Sequence, residues 1–327
     1  MLNKIDKFPL VSICVPIYGV EKYIERCAVT LFEQTYDNLE YIFVNDCTTD
    51  DSMAILEEVI SRYPARSSAV RIIAHEKNRG LAAARNTTVE NCTGEFILHV
   101  DSDDYIENNT VELLVKEQKK NDADIVTCGI FMHKPTKTIT RLRPHFTSPK
   151  EMATRLIGRQ TAANIWGRLI RSSLYLDNDV KAMEGVNMGE DYSVSPILAY
   201  YAKEVATLEQ PLYHYDCTNV NSYSYKFSKK NAEQVWKAYR ALQERFSGKG
   251  SEFEKALDYG KVDIAINQMI LCCRNKENKP YYRTLKNRIK DINKEALKAV
   301  GIGKRIVIYL GNWHIVRAYI HIATAFK

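Results

Sequence analysis

Residues 94–106 read GEFILHVDSDDYI, a short apolar run from Phe96 to Val100 that stops abruptly at three carboxylates, Asp101, Asp103 and Asp104. An apolar run of this length bounded by turn residues reads as a buried strand. The acids then stand at its carboxyl end.

The same texture recurs on either side. LVSICVPI, bounded by Pro9 and Pro16, precedes VEKYIERCAVTLFEQT, whose apolar residues fall at helical spacing. LEYIFVND precedes DDSMAILEEVISRY, and VRIIAH precedes GLAAARNTTVENC. After the opening stretch come NTVELLVKEQKKN and DIVTCGIF. Strands alternating with helices imply βαβ units, hence an α/β fold with a mostly parallel, twisted, Rossmann-like sheet. Ligands of such sheets bind at the carboxyl ends of the strands. Tyr18, Asp46, the segment His75 to Gly80 and the Asp101 group all fall there.

Further on, TKTITRL reads as a β-branched stretch, GEDYSVSPILAYYA as a helix and VATLEQPLYHYD as two short strands. Beyond Phe227 the pattern is helical, with polar breaks at SGKGS, NKENKP and GIGK. The expected division is an α/β domain over 1–225 and a basic, mainly helical region over 226–327.

Composition narrows the class. With 327 residues, 45% of them hydrophobic and 26% charged, the chain can bury a large core, which argues against disorder. No apolar run reaches the roughly 18 residues of a membrane span. The start MLNKIDKFPLVSICV lacks the build of a signal peptide, so a cytoplasmic protein is expected. Eight cysteines are scattered without CxxC spacing or zinc-like His pairs and read as reduced, mostly buried residues. The formal charge of +6 hides an asymmetry: from Lys226 onward there are 22 Lys/Arg against 9 Asp/Glu.

Each candidate site residue has a plain structural reading beside a chemical one. DSDD is a common turn and helix-capping string, yet a D-x-D pair at a strand end also suits Mg²⁺ or Mn²⁺, which take oxygen ligands and share them with phosphates. Asp46 ends another strand at the same rim, and because Asp50 or Asp51 caps the following helix, Asp46 is free to accept from a nucleobase N–H. Gly80 opens a small-residue helix between Arg79 and Arg85, an arrangement that suits a diphosphate as well as a solvated helix face. No GxGxxG and no GxxxxGK[ST] occurs, which removes the main support for dinucleotide and P-loop readings. Glu190 and Asp191 are either first-turn helix acids or, for Asp191, a general base. His214, set among aromatics, is either a core histidine or a third metal or phosphate contact.

Taken in order, VSICVPIYGVEKYIERC, FVNDCTTDDS, NRGLAAARN, ILHVDSDDYI and GEDYS resemble glycosyltransferase family 2, nucleotide-sugar transferases of the GT-A fold. The resemblance covers roughly Pro9 to Tyr225, and NIWGRLIRSSL with Trp166 looks like the family's usual continuation. It implies a donor site in which Pro16, Tyr18 and Asp46 meet the nucleoside, Asp101 lies near ribose and metal, and Asp103 binds the divalent cation. It also implies that Asp191 deprotonates an acceptor hydroxyl with inversion at the anomeric carbon, and that Arg79 or Arg85 offsets leaving-group charge. Three departures stand out: Gly19 where the family commonly has Asn, Cys47-Thr48 where it has Gly-Ser, and Asp216 where relatives often carry Arg. An acid at Asp216 would repel a diphosphate.

The last helical stretch carries Ile302, Ile306, Leu310, Trp313, Val316 and Ile320 as an apolar stripe with Lys304, Arg305 and Arg317 nearby. It packs either on the body or a second subunit, or lies on an anionic membrane face at the inner side of the membrane. Nucleic acid is not an expected partner, since no binding motif accompanies the charge.

The leading expectation is a metal-dependent inverting transferase that moves a sugar, a uridine diphosphate sugar being one candidate donor, to a glycan or lipid-linked acceptor in cell-surface polysaccharide synthesis. The alternative is a non-catalytic nucleotide-sugar or glycan-binding subunit. A phosphoacceptor signalling domain, a third reading, predicts a unit of roughly 120 residues, and the motif run continues past Tyr192.

Overall fold

The computed structural model describes residues 8–219, 228–273, 275–290, 296–297, 305–307, 309 and 312–318. The chain begins with β1 (Val11–Ile17), α1 (Ile24–Phe32), β2 (Leu39–Asn45), α2 (Ser52–Arg62), a short α3 (Pro64–Ser67), β3 (Val70–Ala74), α4 (Leu81–Glu90) and β4 (Phe96–His99). Next come β5 (Tyr105–Ile106), α5 (Thr110–Asn121), β6 (Ile125–Lys134), β7 (Lys137–Arg141), α6 (Pro149–Ile157), β8 (Arg168–Arg171), α7 (Ser173–Leu176), α8 (Glu190–Tyr201) and β9 (Val205–Asp216). Helices α9 (Lys229–Phe246), α10 (Ser251–Cys272) and α11 (Lys279–Arg288) follow, with a 3₁₀ turn at Lys276–Asn278.

The strands form one sheet in the order β3-β2-β1-β4-β8-β6-β9-β5, with β7 beside β6. β3, β2, β1 and β4 are parallel, as the βαβ reading requires, and β8 then joins antiparallel to both β4 and β6. All seven residues of β1 are buried, because helices cover both faces of a central parallel strand. Pro16 is tolerated there because β4 pairing ends at Cys14↔His99, so its missing N–H breaks no ladder bond. On α1, Ile24, Cys27, Ala28, Leu31 and Phe32 recur at helical spacing and are buried. Each large apolar side chain so buried contributes about 1.5–3 kcal/mol.

The stretch VATLEQPLYHYD, expected as two strands, is one continuous strand, β9. Its pairing with β6 jumps from Cys128↔Leu208 to Gly129↔Pro211, so Glu209 and Gln210 are absorbed in an irregularity that also accommodates the proline. The polar, proline-bearing string marked a bulge rather than an end.

The chain divides into two compact units, one taking residues 1–152, 164–187 and 197–222 and the other 153–163, 188–196 and 223–327. The first holds the whole sheet. Two segments that precede residue 225, 153–163 and 188–196, therefore cluster with the later helices. Inside that second unit the Tyr192 hydroxyl donates to the Ile157 carbonyl at 2.6 Å, and Trp236 Nε1 donates to Gln268 at 2.8 Å. The expected break at GIGK, together with Ile302, Lys304, Leu310 and Ile320, lies outside the described residues; Trp313 and Val316 are buried, while Ile306 and Arg317 are half-buried.

Candidate active site

The acids that end β4 are held in a turn closed by the Asp104 N–H donating to the Asp101 carbonyl at 2.9 Å. Asp101, Asp103 and Asp104 each offer a carboxylate oxygen within 4.8 Å of the others. Their environments differ. Asp101 Oδ1 accepts from Arg85 Nη2 at 2.8 Å, and Arg85 is 3% exposed. Asp103 Oδ2 accepts from Asn219 Nδ2 at 2.8 Å. Burial and the adjacent Asp101 carboxylate push the Asp103 carboxyl up to about 6, against the pull of that hydrogen bond.

Asp104 is fully buried and ties the turn to β9. Its Oδ2 accepts from the Tyr213 hydroxyl at 2.7 Å and its Oδ1 from the Asp216 N–H at 2.8 Å. The same hydroxyl accepts from the Asp101 N–H at 3.1 Å. Burial, then the neighbouring Asp103 and Asp101, hold the Asp104 carboxyl well above the ordinary range. Tyr213 was invisible as a site residue in PLYHYD, since its alternation there signals only a strand.

Asp46 sits at the same rim with its side chain 4% exposed. Expected to accept from a nucleobase, its carboxylate already accepts from the backbone N–H groups of Arg79 (2.8 Å) and Gly80 (2.7 Å) and shares a 2.7 Å bond with His75 Nδ1. It therefore shapes the loop 75–80. Gly80 caps α4 at φ +89°, and a Cβ there would stand 2.4 Å from Asn187 Nδ2. Arg79 reaches Glu184 at 2.7 Å. Asn86 exchanges two bonds with the Ala182 backbone, at 2.9 and 2.8 Å, so the chain ahead of Gly189 is fastened to α4.

Pro16 is buried in β1, and Tyr18 just after it is 52% exposed. Gly19, at φ +68°, donates its N–H to Thr48 Oγ1 at 2.9 Å, and Cys47 takes φ +57°. Glycine and asparagine are the residues that adopt this region most readily, so Gly19 keeps the turn that an Asn would make. Cys47 takes it at a cost.

His214 is not among the carboxylate group's partners. It stacks on Tyr105 with ring centroids 4.2 Å apart, its Nε2 meets Glu107 at 2.8 Å and its Nδ1 meets His133 at 2.9 Å. As a strand residue paired with Tyr105 it serves a row of rings across the sheet. Asp191 lies on the first turn of α8, half-buried, in the second unit.

The repulsion expected of Asp216 is answered by a residue sequence reading passed over. Arg26 Nη2 donates to Asp216 Oδ2 at 2.8 Å and to the Asp103 carbonyl at 3.2 Å. Burial raises the Asp216 carboxyl, but Arg26 and Thr218 outweigh it and hold it below the ordinary range. No local signal marked Arg26, an ordinary arginine on an amphipathic helix.

The model of glycosyl transferase family 2 matches residues 12–177, half of the chain, and the chain belongs to that family. It is 32% identical over 220 residues to the uncharacterized glycosyltransferase EpsJ of Bacillus subtilis, covering 63% of this chain and 61% of that protein. With the putative glycosyltransferase EpsH of the same organism it shares 31% identity over 261 residues, 76% of this chain and 73% of the relative. A chondroitin synthase of Escherichia coli is 40% identical over 117 residues, which are 36% of this chain and 16% of that much longer protein. Among solved structures, S. aureus TarS 1–349 in complex with UDP-GlcNAc superposes with a TM-score of 0.74 at 18% identity, covering 96% of this chain and 92% of that one. The mannosyltransferase PcManGT from Pyrobaculum calidifontis, in complex with GDP-Man and Mn²⁺, gives 0.58 at 16% identity, over 98% of this chain and 87% of that one. These likenesses establish the GT-A fold.

Proposed function

We propose that this family 2 glycosyltransferase is a metal-dependent, inverting enzyme that moves a sugar from a nucleoside diphosphate to a hydroxyl of a glycan or lipid-linked acceptor, in the synthesis of a cell-surface polysaccharide. The observation that carries the reading is the carboxylate group at the end of β4, three acids within 4.8 Å at the binding edge of a parallel sheet. The donor set fits a hard divalent cation, since all three groups offer oxygen and burial, with the adjacent Asp101 carboxylate, pushes Asp103 up to about 6. Asp101 and Asp103 would hold Mn²⁺ or Mg²⁺, with Asp104 bracing the turn. When bound, the ion supplies positive charge to the diphosphate.

The chain's own residues do the rest. Tyr18 and the loop 75–80, shaped by Asp46, bound the donor's nucleoside end. Asp191 takes the proton of the acceptor hydroxyl; that oxygen bonds to the anomeric carbon as the bond to the diphosphate breaks, inverting the configuration. That relatives of similar fold are seen with UDP-GlcNAc and with GDP-Man supports a nucleotide-sugar donor and leaves both bases as probes. No helix of the described residues is long and apolar enough to cross a membrane, and the basic tail suits peripheral contact at the cytoplasmic face. Calorimetry of purified protein with UDP- and GDP-sugars tests the reading: binding that requires Mn²⁺ or Mg²⁺ is expected, and its absence across the panel would overturn it.

A further inference from the structure

Arg26 lies on the first turn of α1 and reaches the carboxylate turn at the Asp103 carbonyl, whereas Arg85 meets it at the Asp101 carboxylate. Three restraints fix its guanidinium: Asp216 Oδ2 at 2.8 Å, the Asp103 carbonyl at 3.2 Å, and the Tyr105 ring, whose centroid lies 4.2 Å away. Tyr105 is in turn stacked on His214. Both hydrogen bonds leave from Nη2, so Nη1 and Nε make no hydrogen bond to the described residues. The arginine side chain is nevertheless 43% exposed, while that of Asp216 is only 8% exposed. The ion pair thus has a buried negative end and a solvent-facing positive end.

Such an arrangement removes in advance most of the rotamer freedom that an arginine loses on binding. It also differs from the two arginines that the sequence singled out. Arg85 is 3% exposed and bonded to Asp101, and Arg79 is drawn to Glu184 beside the Asp46 loop. Among the described residues, the open guanidinium beside Asp103 is that of Arg26.

We infer that Arg26, held by Asp216 and Tyr105, is the side chain that grips the donor's diphosphate and balances its charge as the sugar departs. The role rests on the transferase reading above. When the acceptor oxygen bonds to the anomeric carbon, the bond from that carbon to the diphosphate oxygen breaks and its electron pair stays on that oxygen. The acceptor's proton goes to the base, and the diphosphate gains one negative charge. A planar guanidinium fork with two open donor directions is the complement of that oxygen.

The test is titration calorimetry of the full chain with Mn²⁺ and UDP or GDP, with uridine and guanosine as probes of the nucleoside end alone. Arg26→Gln is expected to weaken nucleoside diphosphate binding roughly 10–100-fold, the range of a charge-assisted hydrogen bond, and to leave nucleoside binding unchanged. The double variant R26Q/D216N, which removes both charges and so guards against a folding defect from an unpaired buried Asp216, is expected to stay as weak as R26Q. Wild-type affinity in R26Q, or its recovery in R26Q/D216N, would overturn the inference, because Arg26 would then only neutralise Asp216. Loss of all diphosphate binding in the wild-type protein would instead overturn the transferase reading and this inference with it.

Discussion

At the scale of single residues, the raised Asp103 carboxyl has a stability consequence whose sign can be worked out. A carboxylic acid raised from 3.8 to about 6 binds its proton more tightly in the folded chain. Metal-free stability therefore falls as pH rises from about 4 through 6, and the loss is complete above that window. Asp103→Asn removes the penalty. In chelator at pH 8 the variant is expected to be more stable than wild type by about 1–2 kcal/mol in urea denaturation, while losing Mn²⁺-dependent donor binding. A variant no more stable than wild type at pH 8 would show that the charge is already compensated. Asp191→Asn should lower kcat by roughly 10²–10⁴-fold with donor affinity unchanged, checked by turnover beside calorimetry. Unaltered turnover would show that Asp191 is not the base, whereas donor binding without any turnover in the wild-type protein would favour the binding-subunit alternative. The types of these residues were legible in DSDD and GED, and the resemblance implied roles for Asp101, Asp103 and Asp191, but the tie that Asp104 makes was not legible. Asp104 reads in sequence as one more turn acid, and only the proximity of Tyr213, 109 residues away along the chain, makes it the tie to β9.

At the scale of elements, the site is a set of strand ends joined by side-chain bonds between loops. Tyr213→Phe deletes the hydroxyl that both donates to Asp104 and accepts from the Asp101 N–H, leaving two buried groups short of a partner. A loss of about 1–3 kcal/mol is expected, read as a lower urea midpoint with unchanged slope. Cys47→Gly should instead cost nothing or gain up to about 1 kcal/mol, because glycine takes φ +57° without strain. A large loss would mean that the Cys47 side chain is needed for packing. Local periodicity announced nearly every strand and helix of the first half, since alternating strands and amphipathic helices write their burial into residue spacing. It misjudged β9, where a proline and two polar residues in one strand looked like a loop. Irregular pairing depends on the neighbouring strand, which the local string does not contain.

At the scale of the whole molecule, the charge surplus after Lys226 predicts salt-sensitive association with anionic surfaces. Sedimentation with phosphatidylglycerol vesicles is expected at low salt, falling sharply at about 0.5 M salt, with none on phosphatidylcholine. Retention at high salt, or a dimer in solution with no vesicle binding, would favour the reading in which the last helices pack on protein. What the sequence determined by itself is the α/β class, the family, and the clustering of acids at strand ends, because these follow from short-range spacing and residue type. Tertiary structure alone decided which oxygens face one another, that the Asp46 carboxylate bonds to the loop 75–80, and that segments 153–163 and 188–196 join the later helices. It alone also brought Arg26 to Asp216, 190 residues apart in sequence. Those contacts join positions with no local relation in the chain, and only the packing of the folded backbone sets the distances on which their electrostatics depend.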